Sequence, residues 1–537
     1  MHRQSLFAAS VARGLIMSAL FVTVAVAAED VATAAHPAPL TAAAATAPAP
    51  RSPNATAADQ APSEAAASVP TLDPVIANLH SKLGHAALRK DTNANDVAAL
   101  EAFYAERHGP PVWITPMGFS ARAVDVINEI SKADDWALAA SDFDLPSAGA
   151  LPDNVDDEAM AEIELQLAVL KYARFARGGR VDPSRLSPII DQLPPLLDPK
   201  VVLTEIAGSP TPDRYLRSLH PRHEQFQRLR QALFKARGVK PRNEQEIQRI
   251  LINMERWRWM PATLGRVYVQ DNIPAFMLYV VKNGRTLYSD KIAVGERAYA
   301  TPIFSANMKS IVFNPEWTVP PTVVREDLLP NLRRGGSILR QHGLQVRYNG
   351  RVVDPGSINW TRVNMANIAF TQPPGPTNVL GKVKFLYPNK HSVYMHDTIR
   401  PNLFTQTVRA IGHNCIRMER PNKLAEILLT EDKGWDAKKV EGLIAKGYNT
   451  AVKVDRPIPV HTTYFTAVVD DEGKVTTFAD IYGLDRKVAP IVGGKAIAPA
   501  SDPNDNANRT ASTAPPAKPK ARKESVAGGG IQGLFGE

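Results

Sequence analysis

The one cysteine of this chain stands close to two histidines and an arginine. Cys415 follows His413 by two residues and precedes Arg417 by two, and His396 lies 19 positions upstream (415 − 396). A lone cysteine cannot form an internal disulfide, and one thiol is too few for a cysteine-rich zinc site. The spacing therefore predicts a thiol nucleophile with a nearby imidazole that accepts its proton.

The choice of base rests on local structure. His396 is favoured because it ends an alternating run that is typical of a strand, and a strand would hold the imidazole rigidly. His413 stays a second candidate: in an extended segment its side chain would share a face with the Cys415 thiol, whereas in a tight turn the two would diverge. Arg417 has three interpretations: a group that lowers the pKa of the thiol, a partner for a substrate carboxylate, or one half of a structural ion pair.

Asn414 immediately precedes the predicted nucleophile. Asparagine tolerates a positive φ better than most residues other than glycine, so a turn at this position would suit it. The backbone N–H groups of Asn414 and Cys415 are then candidates for stabilising a tetrahedral oxyanion.

The N-terminal segment is typical of an export signal, which we place at residues 1–28. The apolar stretch 14–27 follows Arg3 and Arg13 and ends in small residues that suit cleavage. It falls short of the ~20 residues that span a bilayer, although an uncleaved membrane anchor is the alternative. We therefore expect a periplasmic protein, in a compartment that oxidises exposed thiols, where a single cysteine is retained for a purpose.

Composition limits the classes of partner. The chain has 44% hydrophobic and 22% charged residues, as globular domains do, but Ala/Pro-rich runs predict a disordered linker at 29–75 and a disordered tail at 488–537. The net charge of +9 would suit nucleic acid, which export argues against. Anionic groups of the cell wall or lipid head groups fit better, with a solvated basic surface as the alternative. We expect no nucleic acid, metal or cofactor.

The secondary-structure elements that position the thiol are predicted from a change in the spacing of apolar residues along the chain. Apolar residues recur at helical spacing over 76–240, and no polar cluster there has catalytic spacing. A further helix is predicted at 244–260. After Pro261 short β-branched runs alternate with Asn-Gly turns, which predicts an antiparallel β-rich domain with helical insertions near 422–429 and 436–446. The predicted fold class is α+β.

The residues around the thiol resemble a known signature. His396-Asp397-Thr398 followed by Gly412-His413-Asn414-Cys415-Ile416-Arg417 is similar to the motif of YkuD-type L,D-transpeptidases, a histidine and then Ser-His-Gly-Cys-x-Arg or Ser-Ser-Gly-Cys-x-Arg. The resemblance extends from about residue 90 to 487 and is most similar to the large YcbB-like branch of Gram-negative bacteria. It includes segments 253–259, 301–302, 313–321, 373–381 and 480–483.

The resemblance implies a helical scaffold domain at 76–240 and an L,D-transpeptidase catalytic domain at 241–487. Within the latter it implies a core at about 265–435 and a capping loop at about 322–378 that covers the substrate. It also implies Cys415 as nucleophile, His396 as general base and acid, a backbone carbonyl of Asp397 that orients the imidazole, and Asn414 in the oxyanion hole. The implied substrate-binding residues are Tyr394, His413, Arg417 and Trp360.

The function implied by the resemblance is peptidoglycan cross-linking. Cys415 would form a thioester with a tetrapeptide stem, and the amine of a second stem's diaminopimelate would resolve it to a 3-3 cross-link. The expected partners are these stem peptides and other proteins of wall synthesis. Water as acceptor would make a carboxypeptidase, and the amine of another protein would make an anchoring enzyme.

Two departures from the family pattern keep other functions open. Gly412 and Asn414 stand where the family has serine and glycine, and no separate wall-binding module is evident. The alternatives are a non-catalytic wall-binding scaffold, an exported cysteine protease, and a metal site at His396, His413 and Cys415.

Overall fold

The computed structural model describes residues 73–84, 92–146 and 154–493. The predicted signal at 1–28 lies outside the described residues, as do nearly all of the predicted linker and most of the predicted tail. Within the described ranges, no helix is long and apolar enough to cross a membrane. All of these residues belong to one compact unit, Pro70–Glu537.

The first half of the unit is helical, as predicted. Its central helix carries Leu165, Val169 and Tyr172, which are fully buried. The side chains of Asn93, Ser120, Asn154 and Asp198 accept backbone N–H groups at helix starts, which fixes where those helices begin. The helices are α1 (Pro74–Leu83), α2 (Ala94–Glu106), α3 (Ala121–Ile130), α4 (Val155–Gly178), α5 (Pro199–Gly208), α6 (Pro212–Ser218) and α7 (Glu224–Gly238); a short hairpin joins β1 (Ile114–Thr115) to β2 (Gly118–Phe119).

Helix α8 (Glu244–Arg258) forms the junction between the helical half and the β-rich half. It packs with α7 around Leu229, Met254 and Trp257, and this cluster includes Phe465 of the second half. The rings of Trp257 and Phe465 stack 4.4 Å apart. The helical half also contributes a strand, β3 (Ile190–Asp191), to the sheet of the second half.

One large sheet dominates the second half and closes on itself. Its order is β12-β13-β14-β6-β5-β4-β15-β7-β3, and β12 also pairs with β7. Its strands are β4 (Val267–Asn272), β5 (Met277–Lys282), β6 (Arg285–Ala293), β7 (Ile303–Phe313), β12 (Val383–Leu386), β13 (Met395–His396), β14 (Ile416–Met418) and β15 (Thr450–Thr463). Helices α12 (Pro421–Lys433) and α13 (Ala437–Ala445) pack against this sheet; the chain then forms a strand pair, β16 (Ala467–Val469) and β17 (Val475–Thr477), and helix α14 (Asp485–Val488).

An insertion between β7 and β12 has its own core. Its sheet has the order β10-β9-β11-β8, and Val346, Phe370 and Leu328 are buried beneath it. Asn378 ties its two ends together by donating to the carbonyl oxygens of Pro315 (3.0 Å) and Gln372 (3.1 Å). The elements are β8 (Trp317–Thr318), α9 (Pro321–Val323), a π-helical turn (Val324–Leu328), α10 (Leu329–Arg333), α11 (Ile338–Gln341), β9 (Gln345–Tyr348), β10 (Arg351–Val353) and β11 (Ile368–Gln372).

The predicted α+β class, the helical insertions and the tight turns are confirmed. Asn283-Gly284 and Asn349-Gly350 have the successive positive φ values of two-residue hairpins. The prediction of an antiparallel sheet is wrong in part, because β13 with β14, β4 with β15, and β3 with β7 are parallel.

Two predicted boundaries also shift. Helix α1 begins at Pro74, inside the predicted linker, and Val488, Ala489 and Val492 are buried in the core beyond the predicted end at 487. The apolar residues just after 487 explain the second shift, because they complete the packing of α14.

Candidate active site

Two short parallel strands bring the predicted reactive residues to one face. On β13 and β14, Met395 pairs with Ile416 and His396 pairs with Arg417. Met395 and Ile416 are fully buried in the core. Because side chains alternate along a strand, the opposite face carries Tyr394 and His396 from one segment, and Cys415 and Arg417 from the other.

The imidazole of His396 is fixed by its neighbour. His396 is 4% exposed, and its Nδ1–H donates to the backbone carbonyl oxygen of Asp397 at 2.5 Å. This hydrogen bond leaves Nε2 as the nitrogen that can accept a proton. Asp397 is held in turn, because its carboxylate accepts the backbone N–H groups of Lys382 (2.8 Å) and Thr398 (2.7 Å).

Burial keeps the His396 imidazole and the Cys415 thiol uncharged. It lowers the pKa of His396 to about 3, with the positive charges of Arg417 and Lys384 adding to the effect and the Asp397 hydrogen bond opposing it. Burial also raises the pKa of the half-buried Cys415 thiol, against hydrogen bonding from Tyr394 and the same two positive charges. At neutral pH the site therefore holds a neutral thiol and a neutral imidazole.

The turn that presents Cys415 depends on Gly412. Gly412 has φ +82°, and a Cβ there would lie 3.0 Å from Nη1 of Arg417. That same Nη1 donates to the carbonyl oxygen of Ile411 at 2.9 Å. Asn414 does not have a positive φ; the turn places the positive φ two residues earlier, at Gly412, where a side chain would crowd the guanidinium of Arg417.

The structure shows which groups surround Arg417 and His413. Among the described residues no carboxylate pairs with Arg417, so its guanidinium supports the turn instead of forming the structural ion pair left open above. His413 lies in the turn, before β14 begins, and its ring contacts that of Tyr299 with 4.4 Å between centroids. Its Nε2 is buried, and no partner lies within the part of the chain that the structure describes.

A second loop holds the cysteine turn from the other side. The hydroxyl of Thr301 donates to the carbonyl oxygen of Asn414 and accepts the N–H of Gly295, both at 2.9 Å. The hydroxyl of Tyr482 accepts the N–H of Thr301 (3.1 Å) and donates to the carbonyl oxygen of Gly295 (2.6 Å). Among the described residues, no group accepts the backbone N–H of Asn414 or Cys415.

The predicted binding residues Tyr394 and Trp360 both pack against the core of the insertion. The ring of Trp360 stacks on Phe370 with 5.8 Å between centroids. The ring of Tyr394 lies 5.6 Å from that of His396. Tyr394 thus joins the insertion to the reactive face, whereas the role of Trp360 in binding stays a prediction.

Sequence reasoning missed Lys384, Thr301 and Tyr482. Lys384 lies on β12 directly opposite His396, with its Nζ 3.8 Å from the centroid of the Tyr394 ring. The one signal for it is a lysine between the buried residues Val383 and Phe385 in an alternating run. Within the described ranges, no group of three or more His, Cys, Asp or Glu side chains has the arrangement of a metal site.

Comparison with known proteins shows that two segments of the chain match models of known domain families. Residues 266–451 match the model of the L,D-transpeptidase catalytic domain, YkuD, and residues 98–233 match that of a Scaffold domain. Residues 266–451 are therefore similar to the YkuD family of L,D-transpeptidase catalytic domains. The YkuD match contains the insertion, both strands of the reactive face and Lys384.

Similar proteins carry related names. A Haemophilus influenzae protein named "Putative L,D-transpeptidase" is 30% identical over 242 residues, which is 45% of this chain and 49% of that protein. The chain thus spans about half the length of this curated relative. Among solved structures, an L,D-transpeptidase from Mycobacterium smegmatis is 11% identical, with a TM-score of 0.18 over 37% of this chain and 58% of that one. L,D-transpeptidase 1 from Mycobacterium tuberculosis is 13% identical, with a TM-score of 0.17 over 37% and 61%.

Proposed function

We propose that this protein is a periplasmic peptidoglycan L,D-transpeptidase that forms 3-3 cross-links through a cysteine thioester. The observation that carries the proposal is the shared face of β13 and β14, where a half-buried thiol lies beside an imidazole with a free Nε2. The match of residues 266–451 to the YkuD model supports the reaction class. The N-terminal sequence supports the periplasm.

The first half of the reaction is acyl transfer to sulfur. The Cys415 sulfur attacks the carbonyl carbon between diaminopimelate and the terminal D-alanine of a donor tetrapeptide, while Nε2 of His396 takes the thiol proton. The backbone N–H groups of Asn414 and Cys415, for which no described residue is an acceptor, stabilise the oxyanion. His396 then gives its proton to the leaving nitrogen, D-alanine departs, and the acyl group stays on sulfur as a thioester.

The second half reverses these roles. The side-chain amine of a second stem's diaminopimelate attacks the thioester carbonyl, and His396 accepts a proton from that amine. The new amide forms as the carbon–sulfur bond breaks, and His396 returns the proton to the Cys415 thiolate. The low pKa of His396 suits this use, because the imidazole is neutral and ready to accept a proton before each attack.

The test is a reaction with a defined donor. Protein lacking residues 1–28 is incubated with disaccharide tetrapeptide, and the products are analysed by mass spectrometry beside Cys415→Ala. A dimer joined through two diaminopimelates, absent with the variant, is the expected result. Tripeptide alone would instead indicate a carboxypeptidase, and unchanged substrate would favour a wall-binding scaffold or an enzyme that acts on a protein amine.

A further inference from the structure

Lys384 is a partly buried cation without an anionic partner. Among the described residues, no carboxylate forms an ion pair with its ammonium and no group accepts a hydrogen bond from it. The ammonium lies over the Tyr394 ring, 3.8 Å from the centroid, in a cation–π contact. Lysines away from solvent are normally paired with an anion, so the protein alone leaves this charge unsatisfied.

The location of Lys384 connects it to the reaction. It pairs with His396 across β12 and β13, and it lies close enough to Cys415 to interact with the thiolate form of that side chain. The other cation of this face, Arg417, already donates to the carbonyl of Ile411 and supports the turn. Lys384 differs from it in that all three of its ammonium donors lack a partner among the described residues, so they are available to a ligand.

The proposed substrate carries an anion at the matching distance. In a stem tetrapeptide the residue after the scissile bond is the last one, and it ends in a carboxylate. That carboxylate lies within about one residue, ~3.8 Å, of the bond that the thiol attacks. We propose that Lys384 binds this terminal carboxylate and restricts the enzyme to peptide ends. This role rests on the proposed function and names the part of its substrate that is recognised.

A pair of substrates isolates the interaction. The donors are disaccharide tetrapeptide with a free terminal carboxylate and the same compound with a terminal carboxamide. The proteins are the unmodified enzyme, Lys384→Met, and the matched control Lys382→Met, which removes an exposed ammonium two residues away. A hydrogen bond between charged groups changes kcat/KM by about 10- to 100-fold, which sets the scale of the effect.

The expected result is a loss of preference. For the unmodified enzyme and Lys382→Met, kcat/KM is about 10- to 100-fold higher with the acid donor than with the amide donor. In Lys384→Met, kcat/KM with the acid donor falls by that factor, whereas kcat/KM with the amide donor is almost unchanged. Lys384→Arg keeps the charge and retains most of the preference, which separates charge from packing if the methionine variant folds poorly.

Two results would overturn the role of Lys384 alone. One is turnover by Lys384→Met with the acid preference unchanged. The other is an equal loss on both donors with thiol alkylation shifted to higher pH, which would mean that Lys384 acts on the Cys415 thiolate. No turnover of either donor by the unmodified enzyme would overturn the proposed function, and the role of Lys384 with it.

Discussion

The neutral resting state of Cys415 and His396 determines how the rate responds to pH. His396 must be unprotonated to act as base, and burial lowers its pKa to about 3, so it stays competent as pH falls well below the ordinary imidazole value. The raised pKa of Cys415 keeps the thiol protonated on the alkaline side. The reactive neutral pair therefore dominates throughout the range between these two pKa values.

We expect acylation of Cys415 to be nearly independent of pH between pH 5 and pH 8. The measurement is the rate of adduct formation with a carbapenem, an acylating β-lactam, followed by mass spectrometry in buffers across that range. A rise centred near pH 6.5, the ordinary pKa of histidine, would contradict the neutral pair. Exposed His80, changed to Gln, provides a control that leaves the profile unaltered.

Single residues also show what sequence could and could not reveal. That Cys415 and Arg417 share a face was predictable, because alternation along a strand is a local property; that His396 lies on the same face was not, because it depends on the pairing of β13 with β14. Lys384 was not, because its position opposite His396 depends on the register of β12 against β13. The positive φ of Gly412 was not predictable either, because the approach of the Arg417 guanidinium to that position is not visible in the order of residues.

Among the elements, the loop around Thr301 and the segment around Tyr482 hold the cysteine turn by hydrogen bonds. Removing the Tyr482 hydroxyl removes two of these hydrogen bonds, each of which contributes about 1 kcal/mol to stability. We expect Tyr482→Phe to lower kcat about tenfold through a displaced Asn414 carbonyl, with KM little changed, because the Tyr482 hydroxyl bonds to the backbone of Gly295 and Thr301. Steady-state kinetics with the acid donor measures this, and exposed Tyr448→Phe is the control.

A purely structural role for Tyr482 would have a different signature. In that case Tyr482→Phe would lower the melting temperature while the folded fraction kept its full kcat. Equal losses in kcat and in affinity would likewise contradict a role confined to the turn.

Among the secondary-structure elements, local sequence signals were sufficient to predict turns and helices but not the pairing of strands. Asn283-Gly284 fixes a hairpin by its own backbone preferences, so β5 and β6 were predictable. The parallel pairing of β13 with β14 has no such signal, because the 18 residues between His396 and Cys415 contain one short 3-10 helix, Pro401–Thr405, and no long helix.

At the scale of the whole molecule, a buried ion pair joins the two halves. Arg256 of α8 contacts Asp485 of α14 at 2.6 Å, with exposures of 4% and 1%. Thr466 donates to the same carboxylate oxygen at 3.0 Å, and Asn253 donates to Thr466 at 3.0 Å. Asn253 and Arg256, which lie in segment 253–259 of the family resemblance, thus both take part in this junction.

We expect Arg256→Met and Asp485→Leu each to lower the free energy of unfolding by about 3–5 kcal/mol, because each leaves one buried charge unpaired. The double variant should lose clearly less than the sum, since it leaves neither. Urea unfolding followed by tryptophan fluorescence gives the four values. Lys423→Met, which breaks an exposed ion pair with Glu426, should cost less than ~1 kcal/mol. Simple additivity would contradict the coupling.

The parallel pairing of β4 with β15 has a consequence for the order of events during synthesis. Val269 pairs with Val460, 191 positions later (460 − 269), so a ribosome adding about 5–20 residues per second needs roughly 10–40 s between them. The helices before β4 depend on neighbours made shortly before them and can pack in that interval. Closure of the ring that contains β13 and β14 waits for β15. The face that carries Cys415 and His396 is therefore assembled late, when most of the protein that surrounds it is already in place.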